Sequence, residues 1–156
     1  IKRSGQDDTD FEKSLDLISA PLIMGIGFLD GRFDHSLAAL DALARLRHDQ
    51  PVLLVGGDDV LLCLRGDFEI TLPLASRLSV WPLGTQHFLC SQGLEWPLDN
   101  VTMMFGKQTG TSNRVNGRPV SIAVGAGDGY VVIAPFTAFD AMLDAAMAMV
   151  DLPALT

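Results

Sequence analysis

Apolar and polar positions along the 156-residue chain follow two regimes, with the change near residues 56–60. In the first, Thr9 and Glu12 stand at capping-box spacing, and Phe11, Leu15 and Ile18 follow at i, i+4 and i+7. That pattern predicts a short amphipathic helix over about residues 10–19. PLIMGIGF (21–28) is a continuous apolar run, expected as a strand buried on both faces. A polar loop, DGRFDH (30–35), leads into a second helix with Leu37, Leu40, Leu43 and Ala44 on one face, and PVLLVG (51–56) is a second buried strand. Helix, strand, helix and strand with short connections read as part of a parallel α/β sheet.

After Gly56-Gly57-Asp58-Asp59 the apolar runs shorten and turn signals crowd in. Strands are predicted over 60–64, 68–73, 78–83, 86–90, 101–105, 119–124 and 130–134. This is the spacing of a β-sandwich or barrel, and Arg65-Gly66-Asp67 reads as a hairpin turn. Residues 136–150 are expected as a terminal helix, with Phe139, Met142, Leu143 and Ala146 on one side and Met142, Met147 and Met149 used in packing. The expected fold class is α/β plus all-β: residues 1–57 as an α/β unit, residues 58–156 as an antiparallel β unit with a C-terminal helix.

Composition narrows the function. The chain is 48% hydrophobic and 19% charged, enough apolar material for a core. Eleven basic against nineteen acidic residues give a net charge of −8, which argues against duplex nucleic acid and against a polybasic membrane surface as partners. Cys63 and Cys90 make no disulfide framework and suggest a reducing, cytoplasmic compartment. His87 and Cys90 fall short of a zinc ligand set. No signal peptide opens the sequence, and the apolar stretch from Tyr130 to Val150 is broken by Pro135, Asp140 and Asp144, so no membrane span is expected there.

Two segments carry candidate chemistry. Gln6-Asp7-Asp8-Thr9-Asp10 puts three carboxylates within four positions at a helix start. Their repulsion is relieved by the helix dipole, which makes the segment an acidic cap, or by a divalent cation, since Mg²⁺ takes hard oxygen ligands. Gly31-Arg32-Phe33-Asp34-His35 lies between a strand and a helix, where open α/β sheets bind ligands. Arg32 offers a donor fork to phosphate, with Asp34 and His35 orienting it; the plain alternative is an Arg32 salt bridge with Asp34 as N-cap. Gly25, Gly27 and Gly31 do not form a dinucleotide fingerprint, and Asn100-Val101-Thr102 is a sequon without other signs of secretion.

Taken in order, these segments resemble the thiamine pyrophosphokinase family. QDDTDFEKSL (6–15) is similar to its Q/K-D-x-T-D-x-x-K-A-L helix start, and GIGFLDGRFDHSLAAL (25–40) to its G-G-R-x-D-H-x-L-A-N-L segment, with Ala39 where Asn is usual. GLEWPLDN (93–100) resembles its G-L-K-Y-P-L block and GTSNRVNG (110–117) its G-x-S-N segment. The resemblance implies Mg²⁺-dependent transfer of pyrophosphate from ATP to the hydroxyl of thiamine, giving thiamine diphosphate and AMP. It implies that Asp7 and Asp10 hold the metal, with Thr9 in support, and that Arg32, Asp34 and His35 lie on the nucleotide side of the cleft. Ser112 and Asn113 would contact thiamine. It also implies a homodimer with each cleft between the α/β part of one chain and the β part of the other. The family's D-G-G-A-like loop and G-D-x-D-S metal-holding segment are not found here, and the chain starts at Ile1, so it is expected to be the C-terminal part of a longer enzyme. The competing expectations are a non-catalytic protein that binds thiamine or another small ligand, and a pyrophosphokinase for another alcohol such as a pterin.

Overall fold

Strand alternation and its two apolar faces organise the molecule. In the computed structural model, residues 10–15, 17–45 and 50–150 are described. The elements run α1 (Asp10–Leu15), β1 (Ile23–Ile26), α2 (Phe33–Arg45), β2 (Val52–Val55), β3 (Asp59–Leu64), β4 (Phe68–Ile70), β5 (Ser79–Pro82), β6 (Thr85–Gln92), β7 (Val101–Met104), β8 (Val120–Gly127), β9 (Tyr130–Pro135) and α3 (Phe139–Ala148). A five-stranded sheet has the order β1-β2-β3-β9-β5 and a four-stranded sheet the order β4-β8-β6-β7. Among the described residues only β1 and β2 pair in parallel and the other strand pairs are antiparallel, so the first sheet is mixed. It runs without a break across residue 57, because β2 folds back on β3 through the turn after Val55.

Both faces of the central strands β2, β3 and β9 are buried, and successive residues serve different cores. Val52, Leu54, Leu61 and Val131 pack against Phe11 and Leu15 of α1 and Ala39, Ala42 and Leu43 of α2. Leu53, Val60, Leu62, Tyr130 and Val132 join Phe68, Phe88, Val120 and Ile122 from the second sheet, with Met142 and Ala146 of α3. The layers are therefore helices, mixed sheet, antiparallel sheet, with α3 against β2, β3, β4 and β9. Among the described residues no helix is long and apolar enough to cross a membrane.

Four local expectations are corrected. The first strand is not buried on both faces: Ile23 and Gly25 are covered, but Met24 and Ile26 are 41% and 74% exposed, because β1 is an edge strand among the described residues. The buried stripe of α2 is Ala39, Ala42 and Leu43, while Leu37 is exposed; small side chains let the helix sit close on the sheet. Arg65-Gly66-Asp67 is not a hairpin turn, since β3 and β4 belong to different sheets. It carries the chain between layers: Arg65 donates to the carbonyls of Leu43 and Asp128, Gly66 accepts from the Tyr130 hydroxyl, and Asp67 accepts from the Val124 amide. Of the three methionines assigned to helix packing, Met142 is buried, whereas Met147 and Met149, the latter just past the end of α3, are exposed.

A buried polar knot holds the far end of the sandwich. Gln86 donates to the carbonyls of His87 and Gly125 and accepts from the amide of Gly129. A Cβ on Gly127 would collide with the Gln86 side chain, which accounts for glycine there. Phe88, fully buried, meets Tyr130 edge-on with ring centroids 5.3 Å apart.

Phe88→Ala should cost about 3–5 kcal/mol of stability, measured by urea unfolding. Burial pushes the Cys63 thiol up to about 11, whereas Cys90 is exposed. A thiol reagent at pH 8 should therefore modify one cysteine of the native protein, Cys90, and both after denaturation. Because the folded state keeps the Cys63 proton longer than the unfolded chain, Cys63 should subtract stability only as pH rises from about 9 towards about 11.

Candidate functional site

The first half of the candidate site forms at the carboxyl end of β1. Phe11 packs on Phe28 with ring centroids 4.3 Å apart, which sets the start of α1 beside the β1–α2 loop. The buried carboxylate of Glu12 pairs with Arg45 of α2, and Arg45 also holds Asp41. Asp10 is the first residue of α1. Asp7 and Thr9 lie outside the described residues, as does the side chain of Asp10.

The loop itself is anchored at its root and open at its tip. Both carboxylate oxygens of Asp30 accept from the Gly57 amide at 3.0 Å, tying the loop to the β2–β3 turn. Arg32 forks onto Asp34, Nε to Oδ1 at 3.1 Å and Nη2 to Oδ2 at 2.5 Å, with both side chains mostly in solvent. The hydrogen bond to Arg32 holds the Asp34 carboxyl below the usual carboxylate range, and the same bond raises Arg32. The helix begins at Phe33, so Asp34 sits within the first turn of α2 and not at its N-cap. His35 is exposed in that same turn. Arg32, Asp34 and His35 thus share one exposed corner, beside the start of α1.

The second half lies at the other edge of the mixed sheet. The segment after β7 crosses from the second sheet to β5: Val80 and Gly110 exchange both backbone hydrogen bonds, and the Leu78 amide donates to the Asn113 carbonyl. Ser112 is held at φ 58, a left-handed conformation unusual for serine, and its amide donates to the buried Ser79 hydroxyl at 2.9 Å. Its own side chain is exposed. Asn113 is buried: Oδ1 accepts from the amides of Trp96 and Arg114, and Nδ2 donates to the Trp96 carbonyl at 2.7 Å. Three of its four side-chain hydrogen-bonding positions are thereby filled within the protein. The effect is to fasten the GLEWPLDN loop, with Trp96 exposed, to the GTSN segment.

Both halves open at one end of the sheet. Ile26 pairs with Val55, Val55 with Val60, Val60 with Ala134, and Ser79 sits opposite the adjacent Ile133. The two edges, however, are four strand spacings apart, roughly 19 Å. One chain brings Arg32, Asp34 and His35 together, and separately Ser112 and Asn113, but does not join the groups. Among the described residues, no three His, Cys, Asp or Glu side chains are grouped to hold a metal ion.

The anchors of this arrangement were not apparent from the sequence. Glu12–Arg45, Asp30–Gly57 and Ser79–Ser112 join residues 33, 27 and 33 positions apart, and none has a local signature beyond the residue types. Trp81, whose ring lies 5.9 Å from that of Phe105 beside the crossover, was likewise embedded in an apolar run.

Comparison with known proteins is consistent across sequence and fold. Residues 69–127 match the family model described as thiamin pyrophosphokinase, vitamin B1 binding domain. Thiamine pyrophosphokinase 1 of Arabidopsis thaliana is 32% identical over 133 residues, covering 75% of this chain and 49% of that protein. Thiamin pyrophosphokinase 1 of Caenorhabditis elegans is 30% identical over 99 residues, covering 60% of this chain and 41% of that protein. The solved thiamine pyrophosphokinase of Bacillus subtilis superposes with a TM-score of 0.70 at 18% identity, covering 84% of this chain and 64% of that one. The chain spans about half the length of the curated relatives it matches.

Asn113→Ala tests the fastening role. Stripping the amide from a buried site leaves three backbone groups short of partners and should cost about 2–3 kcal/mol. The accompanying sign is earlier proteolytic cleavage in the 93–100 loop; unchanged melting and cleavage would sink this assignment.

Proposed function

Because the chain belongs to the thiamine pyrophosphokinase family, we propose that it works as part of an enzyme that transfers pyrophosphate from ATP to the hydroxyl of thiamine, releasing AMP. The observation that carries this reading is the β5-edge crossover: its exposed, left-handed Ser112 lies within the segment matching a vitamin B1 binding domain. In this reading Ser112 faces thiamine, and Asn113 sets the loop and offers its remaining N–H. Residues 1–57 belong to a Rossmann-like nucleotide-binding unit and residues 58–156 to the thiamine-binding unit, although one sheet passes through both.

Arg32 receives phosphate oxygens. Its partner Asp34 keeps the guanidinium oriented until an anion displaces it, at little cost because the pair is solvated. His35 lines the same corner and Thr9 supports the segment before it. Asp7 and Asp10 would hold Mg²⁺: their hard carboxylate oxygens suit it, and the Phe11–Phe28 contact brings the start of α1, at Asp10, to the Arg32 loop. The ion supplies neutralisation of phosphate charge when bound. Alignment is the rest of the task, since transfer needs the hydroxyl and phosphorus within about 3–3.5 Å.

The roughly 19 Å between the two sheet edges supports a homodimer in which the Arg32 corner of one chain faces the Ser112 edge of its partner. Both cysteines are free, in keeping with a reducing cytoplasm as its place of work.

The test is AMP release by the protein that carries this chain, which should require thiamine, ATP and Mg²⁺ together. Arg32→Ala should lower kcat by about 10²–10³ while leaving thiamine affinity intact. Normal turnover in Asp10→Ala would remove the metal role from α1. Thiamine binding without AMP would replace the enzyme with a binding protein, and turnover of a pterin alcohol instead would redirect the substrate.

A further inference from the structure

The β5 edge carries a feature that the reading above leaves unused. Ser79 pairs with Ile133 and Trp81 with Val131, while Val80 pairs with Gly110 of the crossover. Side chains alternate across a strand, so Ser79, Trp81 and Ile133 lie on one side of the sheet, joined by Thr109 and Thr111, which flank Gly110. The two threonine hydroxyls are 3.3 Å apart, as residues on one side should be. Over this row stands Phe105, 72% exposed, its ring tilted 49° to the half-buried Trp81 ring at a centroid separation of 5.9 Å.

Two tilted rings make a corner with a floor and a side. Their π faces are electron-rich and attract a cation that has little hydration to lose. The chain carries −8 overall, and Arg77 and Arg114, which flank this edge, are each paired with a carboxylate, Asp59 and Glu95, while the exposed Lys107 stands two residues beyond Phe105. The same side of the sheet presents the neutral hydroxyls of Thr109 and Thr111, able to donate or accept. The Ser79 hydroxyl is already engaged by the Ser112 amide, so the corner and the Ser112 backbone are fixed to the same strand two residues apart.

We propose that Trp81 and Phe105 form an aromatic corner that binds the planar cationic ring of the substrate, with Thr109 and Thr111 hydrogen-bonding to its substituents. The inference rests on the functional reading above and deepens it, by naming residues that select for the ring's charge.

Calorimetric titration of the full chain with thiamine tests it, alongside a neutral analogue of the same ring outline. Trp81→Leu and Phe105→Ala should each weaken thiamine binding about tenfold, Trp81→Phe should weaken it less, and the neutral analogue should respond little to any of them. Phe105 is mostly in solvent, so its truncation keeps the test open should Trp81→Leu unfold, and thermal melting identifies that case. Variants that melt normally and bind thiamine with unchanged Kd overturn the corner while leaving the functional reading intact. A wild-type chain that binds no thiamine overturns both.

Discussion

The pairing of β3 with β9 is the joint on which the rest of the structure depends. It runs in unbroken antiparallel register from Asp59 opposite Pro135 to Leu64 opposite Tyr130, joining segments about seventy residues apart. Both strands are covered on both faces, and their alternate side chains feed two separate cores. A slip of one residue would turn Leu62 and Val132 towards the helices and Leu61 and Val131 towards the second sheet, so the two cores together fix the register. From this joint β2 and β1 extend to one edge and β5 to the other, and each edge carries one half of the candidate site.

Period-two and helical patterns were legible because burial imposes them locally. The strands Val52–Val55, Asp59–Leu64 and Tyr130–Pro135 stand within a residue or so of where their apolar runs predict them. What the pattern does not contain is which strand lies beside which. PLIMGIGF has the composition of a central strand, yet Met24 and Ile26 stand exposed on an edge, because exposure depends on neighbours and not on the run itself. Arg65-Gly66-Asp67 looked like a hairpin for a similar reason: two short strands around a tight turn have the same local signature whether they pair or pass to different layers.

Candidate site residues were legible through their resemblance to known motifs, and only partly through chemistry. Arg32 and Asp34 were open to both a phosphate site and a salt bridge, and the observed fork is one geometry compatible with either, since an exposed pair opens at little cost. Anchoring contacts were invisible because they join distant positions. Asp30 reaches Gly57, and Ser112 reaches Ser79, through ordinary polar residues whose roles exist only once the sheet is built.

The adjacent residues Ser112 and Asn113 show how one short motif divides between structure and chemistry. Asn113 is turned inward, and its amide replaces backbone partners that Trp96 and Arg114 would otherwise lack. That inward anchor sits beside a left-handed Ser112, a conformation costing of order 1–3 kcal/mol for a non-glycine residue. Such strain persists only where the surroundings over-determine the backbone, and here they do: the Ser79 hydroxyl holds the Ser112 amide from one side, and the Asn113 carbonyl is held by the Leu78 amide from the other. The serine hydroxyl is thus presented by a backbone that cannot relax away when a ligand arrives. Rigid presentation lowers the entropy lost on binding, so in the proposed reading the buried asparagine serves recognition through the backbone it fixes.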